Sequence, residues 1–459
     1  MSYNRLPYSF AICLLVILLL FVLSFIPEFK IGHWKFKHID LLADIHEQPL
    51  DTLLALDTLT TDSIQAKIDS VVEASQSTCR KGITCIEDYS IDSTAMKDFL
   101  RALHNLKETG NTLRIAMYGD SFIEGDVFCG SLRDTLQAAF GGNGVGYVPI
   151  TSEVAGFRTT IKHQFENFKT HSLMTKKDST GTAEFGPVGF CFLPQEGNWV
   201  EYKPSYLRNL KEFNVIKLFY KNKNDSATIN YTINDTLSYS EPLKTSSRLQ
   251  QWSHKGAHIK SVKLEFPVFD SLKLYGASFE GYSGICVDNF SMRGNSGIGL
   301  LRISDNMFSE FNSFRNYKLI ILQYGLNVVM EDSLHYGWYA ARMIKVVNKI
   351  KQAYPHASIL MMSVSDRSSN TSGAFKTMKA IPAMRNAQRL VAQRTGIAFW
   401  DLFEAMGGEN SMVKLVEGKP SLAAKDYTHL TFKGGRKLAR LLMNSLLYEQ
   451  EKYEKKRKK

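Results

Sequence analysis

Cysteine is sparse in this chain, six in 459 residues, and no spacing matches a common zinc pattern. Cys79 and Cys85 bracket a five-residue loop and are placed to bridge if that segment is exported. A Walker loop, a dinucleotide glycine fingerprint and a basic patch interleaved with aromatics are all missing. Nucleotide and nucleic-acid partners are therefore unsupported. Charge is missing from residues 6–27, and within them residues 10–25 are nearly all aliphatic or aromatic. Roughly 20 such residues cross a bilayer as one helix. No Ala-x-Ala flank follows, so residues 1–30 read as an uncleaved N-terminal transmembrane anchor. Arg5 precedes the run while Lys30, Lys35 and Lys37 follow it, which leaves its orientation open by charge.

What is present is the composition of a folded protein. Hydrophobic residues make up 44% and aromatics 12%, which excludes a disordered chain. The net charge of +11 is uneven, with five lysines and one arginine in residues 451–459. Such a tail is a solvated helix end or a contact for anionic lipid or polymer.

Residues 31–110 carry apolar positions at mixed helical spacings and read as a membrane-proximal helical stalk. The first core strand is expected at 113–118, followed by Gly119-Asp120-Ser121 and a helix over 127–140. Residues 186–282 change to short alternating runs between turn residues, the pattern of an inserted β-sandwich. Strands and helices then alternate again, with strands at 318–323, 357–362 and 397–400 and helices at 334–354, 378–395 and 433–451. That alternation implies a parallel sheet covered on both faces, split into residues 111–185 and 283–459 by the insertion.

The chemistry centres on Ser121. It follows a strand and precedes a helix, where open α/β sheets place their ligands; a plain helix cap is the blander reading. A serine hydroxyl needs a base. His429 lies in Asp426-Tyr-Thr-His429, just ahead of the last helix, and the acid three positions earlier is placed to orient its ring. An exposed loop histidine is the alternative. Oxyanion donors are offered by the backbone of Ser121, by Gly294 after the second core strand and by Asn327 in Gly325-Leu-Asn327 after the third. Strand-end turns account equally for Gly and Asn taken singly.

Taken in order, Ser121, Gly294, Asn327 and the Asp426/His429 pair resemble the four blocks of the SGNH (GDSL-type) hydrolase superfamily. A Gly-x-Ser-x-Gly elbow is absent, which argues against an α/β-hydrolase. Gly-Asp-Ser-Phe-Ile-Glu-Gly-Asp126, Leu132-Arg-Asp-Thr-Leu-Gln and the glycine-rich turn at 141–147 resemble peptidoglycan O-acetylesterases and proteins that help O-acetylate peptidoglycan. Phe122 departs from those relatives, which often carry a histidine there.

The resemblance implies a flavodoxin-like three-layer α/β fold with a carbohydrate-binding-like insertion. It also implies a serine esterase acting on O-acetylated cell-wall or extracellular polysaccharide, with neither metal nor cofactor. An O-acetyltransferase working beside a membrane acetyl-exporting partner, and an inactive wall-binding protein, are the alternatives. The expected location is the inner membrane, single-pass, with the catalytic domain facing the periplasm or outside. In the insertion, Trp199, Tyr202, Tyr231 and Trp252 are either sugar-stacking surfaces or buried core.

Overall fold

The computed structural model describes Leu14 and residues 29–31, 34–36, 61–175, 184–205, 207–331, 333–371 and 373–458. Two compact units divide the chain, Met1–Leu59 and Thr60–Lys459. In the first, β1 (Phe29–Ile31) and β2 (Trp34–Phe36) pair as an antiparallel hairpin.

The second unit opens with α1 (Thr61–Thr78), β3 (Ile86–Asp88) and α2 (Lys97–Thr109). Cys79 and Cys85 are joined by a disulfide between α1 and β3. Then come β4 (Thr112–Gly119) and α3 (Cys129–Phe140). Nine strands follow before the chain returns in β14 (Gly284–Ser291). After it run α4 (Asp305–Arg315), β15 (Leu319–Gln323), α5 (Gly337–Ala353) and β16 (Ser358–Met362). A small hairpin, β17 (Ser368–Thr371) and β18 (Ala374–Thr377), precedes α6 (Ala380–Thr395) and β19 (Ala398–Trp400). Two short helices, α7 (Leu402–Met406) and α8 (Ser411–Glu417), lead to α9 (Phe432–Arg457).

β15 and β16 are apolar but for Gln323 and Ser358 at their ends and are buried at every residue, as befits strands covered on both faces. The core sheet runs β14-β4-β15-β16-β19-β3, with the first five strands parallel and β3 antiparallel at the edge. In chain order the five parallel strands read 2-1-3-4-5, the doubly wound order with its switch point between β4 and β15. α3 packs with α9 and α9 with α2, while α5 packs with both α4 and α6.

The inserted strands are β5 (Gly146–Val148), β6 (Ile161–Ser172), β7 (Phe190–Pro204), β8 (Phe213–Asn222), β9 (Thr228–Ile233), β10 (Leu237–Pro242), β11 (Ser246–Ile259), β12 (Val262–Glu265) and β13 (Lys273–Glu280). They form one antiparallel sheet curled around its own apolar core, not the two stacked sheets expected from the alternation. The physical reason lies in the long strands. β6, β11 and β13 shift register at Glu166/Phe168, Ser246/Gln250, Lys255/Ile259 and Leu274/Gly276. Such bulges bend and twist a strand, so one sheet curls over its own core without its end strands, β10 and β11, pairing.

The expected N-terminal transmembrane helix is corrected as well. Among the described residues no helix is long and apolar enough to cross a membrane. α9 has the length, at 26 residues, but Lys433, Arg436, Lys437 and Arg440 in its first half forbid a hydrocarbon setting. The apolar run at 10–25 lies outside the described residues except for Leu14. The membrane as a partner and the single-pass inner-membrane location lose their structural basis with it.

A buried charge knot joins insertion to sheet. Arg315, fully buried, is paired with Glu280 at the end of β13 and with Asp288 of β14 at 2.5 Å. Arg114 of β4 and Lys217 of β8 reach the same Glu280 at 2.7 and 3.1 Å. A buried charge left unpaired is costly, so these partners must stay together.

Candidate active site

β4 delivers Ser121 to the carboxyl edge of the sheet through a turn that only glycine fits. A Cβ on Gly119 would lie 2.8 Å from the Ile123 side chain and 2.9 Å from the Gln323 carbonyl. Half-buried Ser121 then places its Oγ 3.0 Å from His429 Nε2. On the other side of the ring, Nδ1 lies 2.7 Å from Asp426 Oδ2. The chemistry assigns the ring proton to Nδ1, facing the carboxylate, which leaves Nε2 to accept from the serine.

Asp426 also accepts the backbone N–H groups of Thr428 and His429, each at 3.0 Å. Partial burial works to raise its pKa, but the hydrogen bonds from His429 and Thr428 outweigh it and hold the carboxyl below its usual range. The pair is open to solvent, with side-chain exposures of 42% for His429 and 51% for Asp426.

Asn327 follows β15 across the switch point. Its amide donates to Asp120 Oδ2 at 3.0 Å and to the Asn295 carbonyl at 3.3 Å. The loops carrying Ser121, Gly294 and Asn327 are thereby tied, and the Met292 N–H adds a bond to the Gly119 carbonyl at 3.0 Å. Gly294 has φ +75°, which suits a residue without Cβ. Both protons of the Asn327 amide are engaged. The longer bond, to Asn295, is the weaker one and the one a substrate oxygen can displace.

Two buried carboxylates lie here that the sequence does not mark as functional. Asp120 is fully buried and accepts the Phe122 N–H at 2.9 Å besides the Asn327 amide. Burial pushes it up to about 7, against those hydrogen bonds and the nearby His429. The folded state therefore holds this proton at pH values where the unfolded chain has lost it, and stability falls as pH rises from the ordinary carboxylate range toward 7. Asp120→Asn should flatten that slope, by up to a few kcal/mol between pH 4 and 7, as read from denaturation curves.

Asp126 is the second. It takes φ +64° and is gripped by Arg133 at 2.9 Å, Arg158 at 2.9 Å, Thr160 at 2.5 Å and Asn289 at 2.8 Å. These partners come from α3, the approach to β6, and β14, so Asp126 ties the Ser121 loop to the insertion. Its only sequence signal was its place in the Gly-Asp-Ser-Phe-Ile-Glu-Gly-Asp stretch.

A cleft of about 630 Å³ opens beside this loop, between Glu124 and Arg293 on one side and Phe165, Phe168 and Phe190 of the curled sheet on the other. Tyr202, Tyr231 and Trp252 are core residues, so they offer no stacking surface. Trp199 is part-exposed, donates to Glu166 at 3.0 Å and lies under Lys263. Among the described residues no cluster of three or more His, Cys, Asp or Glu is arranged to hold a metal ion.

Neither a family profile nor a curated protein matches this sequence. Solved structures do. One of a peptidoglycan O-acetylesterase superposes with a TM-score of 0.67 at 22% identity, covering 80% of this chain and 99% of that one. An acetyl xylan esterase covers 35% of this chain and 81% of its own at 17% identity, with a TM-score of 0.28. A family two carbohydrate esterase from Cellvibrio japonicus covers 63% and 99% at 9% identity, with a TM-score of 0.26. The last two superpose too loosely to argue from. The first carries the structural finding: this chain shares its fold with that esterase.

Proposed function

We propose that this chain is a serine esterase that removes O-acetyl groups from a cell-wall or extracellular polysaccharide, peptidoglycan first among them, through an acetyl-serine intermediate. The observation that carries the reading is the unbroken relay from Ser121 Oγ to His429 Nε2 and from Nδ1 to Asp426, at 3.0 and 2.7 Å. The similarly folded peptidoglycan O-acetylesterase supports the substrate class.

In the first half-reaction His429 takes the Ser121 proton as Oγ attacks the acetyl carbonyl. Negative charge gathers on the carbonyl oxygen, among the N–H groups of Ser121 and Gly294 and the Asn327 amide proton released from Asn295. The bond between the acetyl carbon and the sugar oxygen breaks, and His429 gives its proton to that departing oxygen, which leaves as the free sugar hydroxyl. Water then attacks the acetyl-serine, His429 again taking and returning a proton. Acetate leaves and Ser121 is restored. Asp426 keeps the ring in the tautomer both halves need.

Transfer to a sugar acceptor uses the same groups but requires water to be kept out. The solvent-open His429 and Asp426 favour hydrolysis. An inactive wall-binding protein would have no reason to keep the relay in hydrogen-bonding register. The test is acetate release by the full chain from O-acetylated peptidoglycan, with acetylated xylan and 4-nitrophenyl acetate as comparators. Release from peptidoglycan above xylan is expected. No release from any of the three would end the esterase reading, and release from xylan alone would end the choice of peptidoglycan.

A further inference from the structure

The acid–base arm of this site is held in an unusual way. Asp426 and His429 are both half-exposed, and an exposed Asp–His pair contributes little holding force of its own. The residue between them that could anchor the loop, Tyr427, has φ +53°. A side chain with a Cβ adopts that backbone state unwillingly, and it persists only where neighbours impose it.

Within its own loop Tyr427 donates its N–H to the Ala424 carbonyl at 3.1 Å, and its side chain packs at the edge of the main core; the neighbour from outside the loop is the β17–β18 hairpin. Ser368 donates its N–H to the Tyr427 carbonyl at 3.1 Å. Phe375 lies flat on the Tyr427 ring, with centroids 3.7 Å apart and planes 5° from parallel. The base of the hairpin is fixed to the body through buried Asp366, which accepts from Thr377 Oγ1 at 2.8 Å, Ser411 Oγ at 3.2 Å and the Met412 N–H at 2.7 Å. On its other side the hairpin reaches the segment that carries Asn327. Ser369 Oγ donates to Glu331 at 2.7 Å, and Arg367 donates to the Leu326 carbonyl at 3.4 Å. One ten-residue element thus touches both the Asn327 loop and the Asp426–His429 loop.

We propose that this hairpin is a positioning strap for the acid–base arm, with Phe375 the residue that holds Tyr427 in its left-handed conformation and so sets the aim of Asp426 and His429 at Ser121. The proposal deepens the esterase reading and rests on it. Phe375 is itself 36% exposed, so its removal empties no core, and a truncated side chain leaves a folded protein.

The experiment compares full-length wild type, Phe375→Ala and Phe375→Tyr in acetyl-ester hydrolysis. In parallel, NMR follows the hydrogen-bonded imidazole Nδ1–H resonance, assigned by its loss in His429→Gln. Phe375→Ala should lower kcat about tenfold, with KM within about twofold and an unchanged melting temperature, because an unheld base misses its near-attack geometry. The His429 resonance should broaden or vanish, and Phe375→Tyr, which restores the stacked ring, should recover both readouts. Wild-type kcat and an intact resonance in Phe375→Ala would overturn the strap. So would a raised KM with kcat unchanged, which marks a substrate contact instead. If wild type lacks turnover that depends on Ser121, the esterase reading falls, while the imidazole resonance still decides the strap.

Discussion

Alanine at position 121 should lower acetate release about ten-thousand-fold or more, the loss seen when a serine nucleophile is removed. Ser121 Oγ is the atom that forms the acyl bond, and its hydrogen bond to His429 is the relay's link to the substrate. Without it His429 has no hydroxyl to deprotonate, and only substrate binding and the oxyanion donors remain. Stability should scarcely move, since Ser121 is only half-buried and its deletion leaves no large cavity. Intact melting with vanished turnover is the expected pair of results. Turnover close to wild type in the variant would place the nucleophile elsewhere.

Asp126→Ala should destabilise the fold by about 3–5 kcal/mol, the usual cost of stripping the partner from a buried charge. Arg133 is 1% exposed and Arg158 9%, and both aim at this carboxylate. Neither reaches water easily once it is gone. Asp126→Asn keeps the shape and tolerates the positive φ, yet removes the charge, so its loss should be nearly as large.

The pH dependence carries a sign. Burial works to raise the Asp126 pKa, but the Arg133 and Arg158 charges overcome it and hold it far below the usual range. A carboxylate lowered on folding contributes stability that is present above its unfolded pKa of about 4 and is lost as pH falls toward the folded value. Wild type should therefore weaken on acidification below pH 4 more steeply than Asp126→Asn in urea denaturation. A cost below about 1 kcal/mol at neutral pH would mean that the two arginines find other partners.

Much of the α/β scaffold was legible because its signals are local. The apolar run at 318–323 appears as Leu319–Gln323, and the helix expected at 378–395 as Ala380–Thr395. Both are set by hydrophobic period and by a boundary residue, Gly396 closing the second in a left-handed cap. Ser121 and Asn327 follow adjacent strands, β4 and β15, whereas His429 lies in the loop ahead of α9 and was expected from the Asp-x-x-His pattern and not from a strand end.

Long-range closure was not legible. Alternating runs in the insertion carry no statement of how strands join, so bulges decided between two sheets and one curled sheet. The apolar N-terminal run suggested a spanning helix that the described residues do not contain. The hairpin at 368–377 is polar, short and exposed over β18, so it has no periodicity to find. Asp120 and Asp126 stand in the sequence only as motif letters, because burial and partners drawn from distant elements are not written in a short motif.

The insertion also has a consequence in time. β4, which carries Ser121, pairs with β14 from Thr112↔Gly284 onward and with β15 from Ile115↔Leu319 onward. Both partners leave the ribosome only after the whole curled sheet has been made. The insertion's own antiparallel pairs join strands closer in sequence than those of β4 with β14 and β15, and its last strand, β13, hands the chain to β14 within four residues. Long-separation contacts form late because the loop between them must first be closed. The strand that is translated early is thus completed near the end, and the hydroxyl stays without its base until the final loop and α9 arrive.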